Sequence, residues 1–154
     1  MHSESEYLAQ RLEELFLNGR WIANTNYQEE LGLANWTLAS RQHPNLNSIV
    51  KLTFHIWYYL QSINTYFKTG ILEIKDQFSF DAEAIQDEQA WNDLKIDFLK
   101  NAVQLIDSVR ALTPQQLEAD SFDPRYGNYR RNIDGMLEHA YYHLGQLVLL
   151  RKLI

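Results

Sequence analysis

Residues Asn132 to Lys152 read NIDGMLEHAYYHLGQLVLLRK. No proline interrupts them and the periodicity is helical rather than alternating, which predicts a helix over Ile133 to Leu153. Within it His139 and His143 are four positions apart, so their side chains leave the same face one turn apart. That separation lets two imidazoles bind one cation. A pair of partly buried histidines capped by hydrogen bonds satisfies the same spacing.

The next informative stretch upstream is SIVKLTFHIWYYLQSINTYFKT, Ser48 to Thr69. Ile49, Leu52, Ile56, Tyr59, Leu60, Ile63 and Phe67 form one apolar stripe, and Gly70 supplies the stop. His55 lies in the middle of this apolar helix, where burial requires a partner for its ring nitrogens. One histidine here and a pair on the last helix can converge on a single cation with a position left open, provided the two helices face each other at the same height.

The remaining chain is also helical in pattern. Tyr7, Leu8, Leu12, Leu15 and Phe16 describe a first helix from Ser3 to Asn18-Gly19. Arg20 to Asn47 is a long connection, closed by Pro44, in which Glu29 to Ala39 can hold one or two short turns. Its Trp21, Ile22, Leu31, Leu33, Trp36 and Leu38 are too apolar for a free linker. A crossover with Phe78, Phe80 and the acidic run Asp81 to Glu88 precedes a third long helix. That helix is marked by Trp91, Leu94, Phe98, Val103, Leu105, Ile106 and Val109, with an acid at Asp87 or Glu88 suited to its start and Thr113-Pro114 as its stop. Pro114 to Asn128 reads as a loop. The expectation is an all-α fold, a four-helix bundle with a long packed connection between its first two helices, forming one domain over residues 1–154.

Composition narrows the function. The 154 residues include 14 Lys plus Arg against 20 Asp plus Glu, a net charge of −6, and no clustered basic face, which argues against nucleic-acid binding. There is no cysteine, so any metal must be held by nitrogen and oxygen. Without a signal-peptide pattern or a long apolar run, a cytoplasmic protein with no membrane span is expected. Of the five histidines, His2 and His43 have no partner at a telling spacing.

The last-helix sequence resembles the closing helix of the DinB-like superfamily, which includes the YfiT-like metal-dependent hydrolases. His139, His143, Gly145, Gln146 and Arg151 fill that family's pattern. SIVKLTFHIWYYL is similar to the family's second helix, with His55 at the first metal position, and Asp87 to Leu117 resembles its third. The resemblance implies a four-helix bundle, often a homodimer, with a divalent metal ion on His55, His139 and His143, zinc or nickel foremost. It further implies a small-molecule substrate, and in some members transfer of a low-molecular-weight thiol to an electrophile.

On either branch the metal would make water or a cosubstrate thiol nucleophilic near neutral pH, and no motif chooses between hydrolysis and thiol transfer. No residue carries a catalytic assignment. Glu138 points away from His139 around the helix. Gln146 shares the histidine face and can bond a ligand, a water or another helix. Tyr58, Tyr59 and Tyr142 can line the site or belong to the core. Arg130 and Arg131, with Arg125 and Tyr129 nearby, sit at a helix start against the dipole preference, where they either attract an anionic cosubstrate or are simply solvated. The rival reading is a non-catalytic bundle that acts through dimerisation or partner binding.

Overall fold

The computed structural model describes residues 3–121 and 123–153. Among them there are seven α-helices and no strand. They are α1 (Glu4–Glu13), α2 (Tyr27–Leu33), α3 (Trp36–Ser40), α4 (Ile49–Thr69), α5 (Glu88–Arg110), α6 (Pro114–Glu118) and α7 (Tyr129–Leu153). The fold is therefore all-α, as the periodicity predicts. No helix is long and apolar enough to cross a membrane among the described residues.

Local chemistry sets most boundaries. Ser48 caps α4 by accepting the Lys51 N–H, and Gly70 ends it in the left-handed conformation at φ 72°. Asp87 caps α5 through the Ala90 N–H. After α1 the chain continues as a single π turn, Glu14–Asn18, closed by the Gly19 N–H on the Glu14 carbonyl. The turn is so tight that a Cβ at Gly19 would fall 1.9 Å from Glu14 Cγ, so this position must be glycine. The first helix thus ends where Asn18-Gly19 predicts, by a different geometry.

Two expectations near the C-terminus need correction. The loop expected over Pro114 to Asn128 contains α6, held by a reciprocal capping box between Thr113 and Gln116. The last helix begins at Tyr129, one turn before Ile133, because the Asn128 side chain accepts the Arg131 N–H at 2.9 Å. Arg130 and Arg131 consequently stand in the first turn of α7.

α1 contacts α5, α5 contacts α4, α4 contacts α7 and α7 contacts α1, so the four longer helices form a closed ring of neighbours. Inside it Leu8, Leu12, Ile56, Leu60, Phe98, Ile106, Leu137 and Leu147 are all buried. Phe16, Tyr27 and Phe98 pack as a trio with ring centroids 5.1–5.9 Å apart. Truncating Phe98 to Ala would cost about 3–5 kcal/mol.

The connection is packed, but not by every residue expected. Leu31 is buried and Trp36 and Leu38 are half-buried, whereas Trp21, Ile22 and Leu33 face solvent, as do Tyr7 of α1 and Val103 of α5. The anchor is Tyr27, fully buried, whose hydroxyl donates to the Ala140 carbonyl of α7 at 2.8 Å. Burial pushes its phenol well above its ordinary pKa. A second clip is ionic: Glu30, almost wholly buried, accepts from Arg151 Nε at 2.6 Å and from Thr25 at 2.9 Å.

Candidate metal centre

α4 contributes His55 and α7 contributes His139 and His143, and the packing of these two helices brings the three rings together. One ligating nitrogen from each lies within 4.8 Å of the other two. His139 Nε2 is 3.1 Å from His55 Nε2 and 2.9 Å from His143 Nε2. The condition left open by spacing, that the helices meet at one height, is met. His43 lies outside this group, with its Nδ1 on the Pro44 carbonyl at 3.0 Å, and His2 falls outside the described residues.

Each ring nitrogen carries either one proton or one in-plane lone pair. His139 Nε2 therefore makes at most one well-aligned hydrogen bond to the two neighbours, although both lie within hydrogen-bond distance. A cation held by the three would resolve the conflict by accepting all three lone pairs. With metal–nitrogen bonds of about 2.0–2.1 Å, the edge of a tetrahedron is about 3.3–3.4 Å, a few tenths of an ångström longer than the separations here.

The tautomer of His143 suits that role. Its Nδ1 lies 2.7 Å from Gln146 Oε1, and the Gln146 amide nitrogen donates in turn to the Tyr142 hydroxyl at 2.9 Å. With the amide so oriented, Nδ1 carries the proton and Nε2 presents its lone pair to the centre. His55 Nδ1 is buried near the Ser79 backbone without a hydrogen bond of ordinary geometry among the described residues.

The electrostatics keep the rings neutral. Burial first, then the other two histidines, push His55 down to about 4, against weaker upward pulls from the Ser79 backbone and Asp76. Burial and His143 lower His139. Burial lowers His143, opposed by its bond to Gln146. Neutral imidazole is the metal-binding form.

Compared with known proteins, the chain matches no family model, no curated protein and no solved structure.

Two neighbours of the centre escaped the sequence reading. Phe80 stacks on His55 with ring centroids 3.9 Å apart and planes 10° from parallel. Asp76 acts on both His55 and His139 and accepts the Tyr59 hydroxyl at 2.8 Å. Both come from the irregular crossover, where no periodicity points inward.

The other candidates separate cleanly. Tyr59 lies edge-on to His55 and His139, with centroids at 5.0 and 5.4 Å, whereas the Tyr58 hydroxyl bonds to the Lys75 backbone. Tyr142 flanks His143, mostly exposed. Glu138 is exposed and pairs with Arg131, Arg130 with Glu4, and Arg125 with Asp123. Of the acidic run, Asp87 caps α5 and Glu88 accepts the Trp36 N–H at 3.0 Å.

A cleft of ≈ 660 Å³ opens beside the centre. His139, Tyr59 and Asp76 line it, as do the apolar Ile63, Ile74 and Met136. A small molecule can thus reach His139 from outside, while Phe80 covers His55.

Proposed function

We propose that His55, His139 and His143 hold one divalent metal ion, zinc or nickel, in a DinB-like four-helix bundle, and that the protein is a metal-dependent hydrolase or thiol transferase acting on a small electrophile. The observation that carries this reading is the convergence of three histidine nitrogens, with His139 Nε2 against both others where it can make only one well-aligned hydrogen bond. When bound, a divalent ion supplies Lewis acidity, which makes water or a thiol nucleophilic near neutral pH.

The chain's own residues do the rest. Gln146 holds the His143 ring so that Nε2 faces the centre. Phe80 packs on His55, and Tyr59 packs edge-on against His55 and His139, so ring contacts restrain both imidazoles. Asp76, held by Tyr59, adds a carboxylate to the cleft wall, where it can accept a hydrogen bond from a bound molecule.

The test is a screen of zinc- and nickel-loaded protein with low-molecular-weight thiols plus 1-chloro-2,4-dinitrobenzene, and separately with activated esters. The expected result is turnover that needs the metal and disappears in His55→Ala. A loaded protein inert in both assays would contradict the enzymatic reading.

A further inference from the structure

Along α7 the cleft wall includes Arg131, Gly135 and His139, four residues apart and so one turn after another. An arginine, a glycine and a histidine thus follow each other along ~12 Å of helix, with the Arg131 guanidinium reaching over Gly135 to Glu138. Gly135 has no local reason to be glycine. Its φ is not positive, and a Cβ placed there would meet nothing closer than Arg131 Nη1 at 4.0 Å. Glycine inside a helix costs stability relative to alanine. What it provides here is space, a stretch of α7 without a side chain of its own, over which Arg131 reaches toward Glu138.

The charges along the cleft are ordered. Asp76 belongs to the histidine side, since it acts on His55 and His139 and is held by Tyr59. Asp123 is taken up by Arg125, through Nε at 2.9 Å and Nη2 at 2.6 Å. Arg131 makes one side-chain hydrogen bond among the described residues, to exposed Glu138 at 3.3 Å. Most of its donor fork therefore remains open to an anion. Apolar Ile74 and Met136 complete the wall.

We infer that this cleft binds a small amphipathic organic anion, its negative group on Arg131, its apolar body against Ile63, Ile74 and Met136 and its reactive end at His139. The inference deepens the metal-centre reading and rests on it for the position of the reactive end. The solvated arginine and the cosubstrate arginine of the sequence reading are thereby divided: Arg130 is occupied by Glu4 at 2.6 Å and lies outside the cleft lining, whereas Arg131 faces it.

Isothermal titration of the full chain, metal-free and zinc-loaded, with 6-mercaptohexanoate, 6-mercaptohexanol and hexanoate tests this. Wild type should bind the mercapto acid at least about tenfold more tightly than the mercapto alcohol in either form. Arg131→Gln should abolish that difference, and Gly135→Leu should weaken both ligands while zinc uptake is unchanged. Equal affinity for acid and alcohol in wild type, absence of carboxylate binding in both forms, or a preference that survives Arg131→Gln would overturn the inference. Zinc should tighten the two thiols and not hexanoate; its failure to do so counts against the metal centre alone, since the charge preference is read without metal.

Discussion

Gln146 accepts the Nδ1 proton of His143 at 2.7 Å, so the opposite nitrogen of that ring reaches His139 at 2.9 Å with its lone pair. A residue one turn along the helix thereby sets the tautomer that a metal ligand needs. Gln146→Leu removes the acceptor and frees the ring. The expected loss is about 10–100-fold in zinc affinity, measured by competition with a chromophoric chelator, with the helical circular dichroism unchanged. Unaltered affinity would show that the hydrogen bond does not position the ring.

The pKa of His55, lowered to about 4 by burial and by its two histidine neighbours, makes the metal-free protein sensitive to acid. Below about 6.5 the unfolded chain takes up a proton that the folded chain refuses. The stabilisation is therefore complete above pH 6.5 and is lost as pH falls toward 4; His139 and His143 are lowered in the same direction. Melting temperatures of metal-free His55→Gln should fall less steeply between pH 7 and pH 4.5 than those of wild type. Parallel curves would contradict a neutral, desolvated His55.

The features legible in the sequence were those written as periodicity and caps. The stripe from Ile49 to Phe67 and its Gly70 stop place α4 within one residue, and the four-residue step from His139 to His143 specifies one shared face. Convergence with His55 depends on how α4 packs on α7, which neither helix encodes alone. Phe80 and Asp76 lie in an irregular crossover, so nothing periodic marks them as neighbours of His55. The connection packs through Leu31, Trp36 and Leu38 as expected, but Trp21 is exposed and Tyr27 is its anchor, because hydrophobicity alone does not tell which aromatic of a non-periodic segment finds a polar partner in the core. The capping box at Thr113 was readable and defines α6 inside the expected loop.

Arg151, a basic residue at the end of the last helix, is bound to Glu30, whose side chain is only 4% exposed. Arg151→Leu leaves that carboxylate buried with Thr25 as its remaining side-chain partner. The expected cost is about 3 kcal/mol in urea unfolding, most of it the penalty of an unpaired buried charge. A loss below about 1 kcal/mol, the range of surface pairs, would show that Glu30 is solvated.

Gly135→Ala should stabilise the protein by about 0.5–1 kcal/mol, since the added methyl fits and the helix gains propensity. Thermal unfolding checks the sign. A destabilised variant would mean that the cleft floor is packed rather than open.

The most direct measurement is metal per chain. The protein is purified without a histidine tag, incubated with zinc or nickel at neutral pH, desalted and quantified by elemental mass spectrometry beside His139→Ala, the residue whose Nε2 faces both of the others. One equivalent in wild type and none in the variant is the predicted result. A wild type that retains no metal, or a variant that retains as much as wild type, would contradict the three-histidine centre.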